Sequence, residues 1–369
     1  MFEIPKNIEF IIDRLSQNGH SAYIVGGCVR DLLLGQTPHD FDVTTSATPQ
    51  EIISLFEKTI PTGIKHGTVT VLAENTPIEV TTFRTEGNYT DNRRPDNVQF
   101  VKNLREDLSR RDFTVNAMAF NKKDGLQDYF GGKADLENKI LRAVGDPKTR
   151  FTEDALRILR LFRFASTLNF NIEEKTLDNA LKCSHLLENV SVERIFVELK
   201  KTIMGKNFIV FSPLIECGGL KFLNITSLPD FNKIKTASEL LRLFMLLDYD
   251  GLQKLNPSNQ EKEYFSQMNL ALKMPTPKNE CDIKIMRSVI GDSVLKDYFV
   301  LKNIDKYLLQ TVLEKNEPYL ISHLALNGKD LLELGYKGEK IGEILEYLQK
   351  FVIQNPQKNN KQDLINQIP

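Results

Sequence analysis

The chain has 369 residues with 41% apolar and 26% charged residues, enough for two or three domains with real cores. That composition excludes collagen-like, largely disordered and cysteine-stapled classes. The formal net charge of -1 argues against a simple nucleic-acid coat. Its distribution is uneven: residues 1–92 hold 6 Lys/Arg against 12 Asp/Glu, and residues 93–163 hold 16 against 11. An acidic segment beside a basic one suits a site where carboxylates hold metal and arginines hold phosphates, and it also arises by chance.

In chain order, Ile8 to Leu15 has helical apolar spacing. Short β-rich runs follow at Ala22–Val25, Phe41–Thr44, Thr68–Leu72, Ile78–Phe83 and Val98–Val101. Residues 85–97, TEGNYTDNRRPDN, are wholly polar and read as a long flexible loop. After about residue 140 the strand signal fades. Glu153 to Leu168 reads as one amphipathic helix, and Asn189–Ser191 reads as the start of another, stopped by Gly205. Helical stretches continue near 237–248, 260–272, 285–313 and 338–353. The N-terminus lacks a signal pattern and no apolar run suffices to span a bilayer, so the expected setting is cytoplasmic without membrane contact. The scattered Cys28, Cys183, Cys217 and Cys281 indicate neither a zinc site nor a disulfide framework.

Three segments carry chemistry. In H-D-F-D-V, Asp40 and Asp42 lie two apart, which on a strand points both carboxylates to one face and Phe41 and Val43 to the other. Such a pair suits Mg²⁺, which takes one or two carboxylates plus substrate phosphates; an acidic edge strand would look the same. Glu79, in P-I-E-V-T-T-F, is a candidate third carboxylate or a solvated strand residue.

Upstream, Y-I-V-G-G-C-V-R-D joins a strand to a helix through Gly26 and Gly27. Paired glycines let backbone N–H groups approach a phosphate, and Arg30 lies one turn in. Strand, glycine turn, basic helix and acidic strand follow in the order of nucleotidyltransferases with a DNA polymerase β-like palm.

In E-D-A-L-R-I-L-R-L-F-R-F, Asp154 and Arg157 are three apart, neighbours on one helical face. They form either a weak surface ion pair or a base reader. An acceptor beside a donor matches the amino group and ring nitrogen of adenine (6-amino, N1) and of cytosine (4-amino, N3), while uracil and guanine present the reverse. Arg160 and Arg163 turn away along the helix and serve phosphates or packing. Arg111, in S-R-R-D-F-T-V-N-A, is a further cation for a triphosphate.

Together G-G-C-V-R-D, D-F-D, R-R-D-F-T-V-N-A and E-D-A-L-R-I-L-R-L-F-R-F resemble the class II tRNA nucleotidyltransferases, the CCA-adding enzymes, and their bacterial poly(A) polymerase relatives. N-G-K-D-L-L-E-L-G-Y-K-G-E-K-I-G-E-I-L resembles the tail of the bacterial CCA-adding enzymes. The resemblance implies a seahorse-shaped protein with an α/β N-terminal head (a DNA polymerase β-like nucleotidyltransferase palm on a mixed sheet), followed by an all-α neck, body and tail. The expected borders are 1–140, 141–205, 206–290 and 291–369, with the tail binding tRNA. It implies Mg²⁺ on Asp40 and Asp42, and Gly27, Arg30, Arg111, Asp154, Arg157, Arg160 and Arg163 at the ATP or CTP. The implied activity is template-independent addition of CCA to the 3′ end of tRNA from CTP and ATP, with release of pyrophosphate. The complete 85–97 loop favours full CCA addition over the CC-only relatives, leaving A-only addition and poly(A) synthesis as alternatives. A non-catalytic RNA-binding relative would have lost a carboxylate or the Asp/Arg pair. A small-molecule nucleotidyltransferase would not need the long helical extension. A homodimer stays an open expectation.

Overall fold

The computed structural model describes residues 3–87, 98–230 and 237–369. The chain forms two compact units, Met1–Leu228 with Asp250–Asn256, and Pro229–Tyr249 with Pro257–Pro369.

The first unit opens with α1 (Lys6–Gln17), whose Ile8, Ile11, Ile12 and Leu15 recur at helical spacing and are all buried. It leads into a seven-stranded sheet built from β1 (Ala22–Val25), β2 (Asp42–Thr45), β3 (Thr59–Gly63), β4 (Thr68–Ala73), β5 (Thr76–Thr82), β8 (Met118–Asn121) and β9 (Gly125–Asp128). The strand order is β3-β4-β5-β2-β1-β8-β9. β2 runs parallel to β5, with Val43 opposite Val80, and antiparallel to β1, with Asp42 opposite Val25, so the sheet is mixed as expected. β2 is therefore an interior strand, its register held from both sides; a slip of one residue would exchange Asp42 for the fully buried Val43. A separate ribbon pairs β6 (Arg84–Glu86) with β7 (Val98–Phe100). Most of the predicted polar loop, residues 88–97, lies outside the described residues.

Helices α2 (Gly27–Leu33), α3 (Pro49–Leu55), α4 (Leu104–Ser109) and α5 (Gly132–Glu137) interleave with these strands. α3 starts in a reciprocal cap, the Thr48 hydroxyl accepting from the Glu51 N–H while the Glu51 carboxylate accepts from the Thr48 N–H. Past the parallel bridge of β10 (Ile140–Leu141) and β11 (Asn171–Ile172), the unit is helical: α6 (Pro147–Glu153), α7 (Leu156–Leu168), α8 (Glu174–Lys182), α9 (Val192–Ile203) and α10 (Ser212–Glu216). α7 buries Leu159, Phe162 and Ala165 completely, and Phe162 meets Phe211 edge-on at 5.7 Å between ring centroids.

In the second unit, α11 (Glu239–Leu246) precedes the short α12 (Tyr249–Gln253), where the chain passes back into the first unit. Then come α13 (Asn259–Lys273), α14 (Glu280–Leu301), α15 (Lys306–Lys315), α16 (Gly328–Glu333), α17 (Glu339–Gln354) and α18 (Lys361–Asn366). A buried carboxylate ties three of them: Asp297 accepts from the Ser238 hydroxyl at 2.5 Å and the Tyr264 hydroxyl at 2.6 Å. Leu326, Leu331, Ile344, Leu348, Val352 and Leu364 form an apolar cluster near the C-terminus. The predicted helical stretch 285–313 is interrupted twice, by Gly291 at φ 71° and between α14 and α15. No helix among the described residues is long and apolar enough to cross a membrane.

Candidate nucleotide site

The glycine turn is the first part of the site. Gly26 has φ 82° and ψ -127°, a conformation open to glycine and strained for other residues. A Cβ there would lie 3.0 Å from Arg111 Nη1, and a Cβ on Gly27 would lie 3.6 Å from Arg30 Nη2. The turn thus carries two guanidinium groups against its backbone, as a phosphate cradle requires. Arg30 is oriented by Asp31, which accepts from Nε at 2.9 Å and Nη2 at 2.7 Å, and by the Asn116 Oδ1, which accepts from Nη1 at 2.7 Å. Arg111 pairs with the fully buried Asp107 at 3.4 Å. Burial alone would raise the Asp107 carboxyl; the charges of Arg110 and Arg111 outweigh it and hold the group below its ordinary value.

The acidic pair differs from the sequence expectation in one respect. Only Asp42 belongs to β2; Asp40 precedes it outside the strand, and Phe41 is half-buried rather than in the core. Both carboxylates are exposed, so the strand's alternation governs Asp42 and Val43 but does not reach Asp40. The surrounding protein, and next the Asp40 charge, push the Asp42 carboxyl above its ordinary value; Arg111 opposes this and Glu79 adds to it. Arg111 and Asp42 are therefore electrostatic neighbours, which joins the glycine turn to the acidic strand. Glu79 lies on β5, next to Val80, which pairs with Val43. Among the described residues no three His, Cys, Asp or Glu side chains converge as a metal-holding group, so Glu79 adds charge beside Asp42 without completing a three-ligand cluster.

The arginine helix requires a correction. Asp154 and Arg157 do not share one uninterrupted helix: α6 ends at Glu153, Asp154 is extended at φ -137° and ψ 102°, and α7 starts at Leu156. The break has a local cause. Asp154 Oδ1 accepts the Leu156 N–H at 3.1 Å, a side-chain turn that competes with helical bonding and satisfies one free donor at the start of α7. Asp154 Oδ2 accepts from Arg194 Nη2 at 2.8 Å. Arg157 is buried. Its Nη1 donates to Glu153 Oε2 at 2.6 Å and the Arg150 carbonyl at 3.1 Å, and its Nη2 donates to the Arg110 carbonyl at 2.8 Å. The two side chains thus have separate partners, and Arg157 adjoins the segment that carries Arg111.

Arg160 and Arg163 are held at the junction of α7 with the head. Arg160 donates through Nε and Nη2 to Asp112 Oδ2 at 2.9 and 2.6 Å, while Arg163 Nε lies 2.6 Å from Glu198 Oε2. The guanidinium carbons of Arg30, Arg160 and Arg163 stand 5.2, 5.3 and 3.7 Å from the centroid of the Phe164 ring. Burial pushes the Arg163 guanidinium down to about 10, with the Glu198 charge opposing, so it is cationic at neutral pH.

The sequence reading missed four residues that organise this arrangement. Asp112 and Asn116 link Arg160 to Arg30, because Asn116 Nδ2 donates to Asp112 Oδ1 at 3.1 Å. Arg194 and Glu198, four apart on α9, meet Asp154 and the α7 arginines respectively. The available signal was V-E-R-I-F-V-E-L, where opposite charges four apart sit beside the apolar Ile195, Phe196 and Leu199 that the helix buries.

Comparison with known proteins places the chain in a family. Residues 22–142 match the family described as the Poly A polymerase head domain, and residues 169–234 match the family described as the probable RNA and SrmB-binding site of polymerase A. Such a head, carrying a glycine turn beside an acidic strand, defines a nucleotidyltransferase. A CCA-adding enzyme of Lactococcus lactis subsp. cremoris (strain MG1363) is 39% identical, the match covering 97% of this chain and 94% of that protein. One of Staphylococcus haemolyticus (strain JCSC1435) is 38% identical over 96% of this chain and 95% of that protein. The chain belongs to the CCA-adding enzyme family. The crystal structure of the Bacillus stearothermophilus CCA-adding enzyme in complex with CTP superposes with a TM-score of 0.82 at 30% identity, covering 98% of each chain. The Thermotoga maritima CCA-adding enzyme complexed with tRNA shares the fold, with a TM-score of 0.71 at 21% identity, 97% of this chain and 93% of that chain being covered.

Proposed function

We propose that this protein adds CCA to the 3′ end of tRNA, using CTP and ATP and releasing pyrophosphate at each step. The observation that carries the chemistry is Arg111, which lies against the glycine turn and within electrostatic reach of Asp42. One side chain thereby joins the phosphate cradle to the acidic strand. Asp40 and Asp42 would hold Mg²⁺. The donor set fits: two oxygen ligands with excess negative charge, at a site open for water and substrate phosphates. When bound, the ion supplies activation of the attacking hydroxyl and neutralisation of the leaving oxygen.

Gly27, Arg30 and Arg111 would bind the triphosphate by backbone N–H groups and guanidinium charge, leaving the α-phosphorus facing the carboxylates. Asp154 would accept from the amino group of cytosine or adenine and Arg157 would donate to the adjacent ring nitrogen. The latter needs Arg157 to exchange one protein acceptor for the base. Arg160 and Arg163 would contribute positive potential from their anchored positions. The division into head (1–140), neck (141–205), body (206–290) and tail (291–369), with the tail on tRNA and a reducing cytoplasm as the setting, belongs to the same proposal.

The experiment is to give the protein tRNA ending before CCA with each labelled nucleoside triphosphate and measure product length. Addition of three nucleotides from CTP and ATP is expected. Addition of a single A to tRNA ending in CC, with no use of CTP, would replace this reading by A-only addition, and a long A tail would replace it by poly(A) synthesis.

A further inference from the structure

We propose that Arg194 is a positioning residue for base selection: it fixes the orientation of the Asp154 carboxylate, so that preference for C and A over U and G depends on α9 as well as on the segment that contacts the base. The inference rests on the reading of Asp154 as a base reader and extends it to a residue that the base itself would not touch.

Asp154 is pinned from two directions. Its Oδ1 takes a backbone N–H at the start of α7 and its Oδ2 takes Arg194 Nη2 from α9, so the carboxylate plane cannot turn without breaking one of the two. Each oxygen has a second lone pair, which leaves acceptor capacity for an exocyclic amino group. A carboxylate free to turn would aim its oxygens away from that amino group as often as toward it, so the two anchors set the direction in which Asp154 accepts.

One observation separates this pair from an isolated ion pair. The contact is one of two on the same face of α9: Glu198, one turn further on, meets Arg163 at 2.6 Å and Arg160 at 3.8 Å. α9 thus presents opposite charge, residue by residue, to the functional row that begins at Asp154.

The test compares Arg194→Met, Arg194→Lys and Asp154→Asn in the full chain, measuring kcat/KM for CTP, ATP, UTP and GTP on tRNA ending before CCA and the melting temperature of each variant. Arg194→Met is expected to lower the CTP-to-UTP ratio at least tenfold. Arg194→Lys, which keeps a cation, should recover most of that ratio even where its melting temperature is no higher. Asp154→Asn should lower the ratio as well. A ratio within twofold of the parent in Arg194→Met, or an equal loss for all four nucleotides, would overturn the role of Arg194 while leaving an Asp154→Asn effect to stand. An unchanged ratio in Asp154→Asn would overturn the base-reader assignment itself, and this inference with it. Should Arg194→Met not fold, Arg194→Gln carries the same comparison.

Discussion

Asp112 accepts four hydrogen bonds at the junction of head and α7, and replacing it with Asn isolates its charge. It accepts from Arg160 twice, from the Phe113 N–H at 2.8 Å and from Asn116 Nδ2 at 3.1 Å. Burial alone would raise its carboxyl; the Arg160 charge and the hydrogen bonds of Arg160 and Asn116 outweigh that and lower it from 3.8 to about 2. Ionisation linked to folding over that interval is worth about 2.5 kcal/mol at neutral pH. Because the folded value is the lower one, this stability is present above about pH 4 and is lost as pH falls toward 2, with about half remaining near pH 3. Asn keeps the shape and the Oδ1 bonds but turns an amide donor toward the Arg160 donors. Removing one partner of a buried pair costs about 3–5 kcal/mol, and Glu198 at 3.8 Å from Arg160 places the expectation at the lower end, about 3 kcal/mol at pH 7. The chain has no Trp, so the assay is denaturant unfolding followed by circular dichroism, parent against Asp112→Asn, at pH 7 and pH 3. The gap between the two proteins should narrow by about 1 kcal/mol at the lower pH. An equal gap at both would show that packing, not charge, makes Asp112 important, and the electrostatic account of this junction would fall.

Three further outcomes follow from the geometry. Asp40→Ala and Asp42→Ala should each lower nucleotide incorporation by about a thousandfold or more, as expected when metal-held charge stabilisation is removed, with unchanged circular dichroism; near-parental turnover in both would end the metal assignment. Gly27→Ala meets only the Arg30 guanidinium, Nη2 at 3.6 Å and Nη1 at 3.9 Å, so it should leave the melting temperature unchanged and raise KM for CTP. Gly26→Ala, at φ 82° and 3.0 Å from Arg111, should instead lower both stability and activity; equal behaviour of the two variants in a thermal melt would contradict the backbone argument. Phe162→Ala removes a fully buried ring packed on Phe211 and should cost about 3–5 kcal/mol in denaturant unfolding, a loss under 1 kcal/mol being incompatible with the packing described.

Elements with a strong apolar period could be read from the residues alone. α1, β1, β4, β5 and α9 lie within a residue or two of where spacing puts them, because each buries a continuous face. Two edge strands that escaped notice have little such signal. β3 is T-I-P-T-G at an edge of the sheet, largely exposed and containing both Pro and Gly. β9 is four half-buried residues at the other edge. Within the candidate site, residue types and order were legible, as the grouping of Gly27, Arg30, Arg111 and Asp42 shows. Side-chain pairing was not. The helix break at Asp154 comes from a two-residue turn that apolar periodicity does not register, and the Arg194 contact joins positions forty apart, which only packing of α7 on α9 brings together.

That turn confines position 154 in an unusual way. One oxygen closes the backbone and the other meets a cation, so a substitute must be short, must accept, and must be negative. Asparagine, serine and threonine close the same turn but carry no charge; glutamate has the charge on a stem one methylene too long for the turn. No other of the twenty side chains meets all three demands, so drift by single replacement has no silent route there. The amino acid proposed to read the base is thus also held by the turn it closes and the cation it meets.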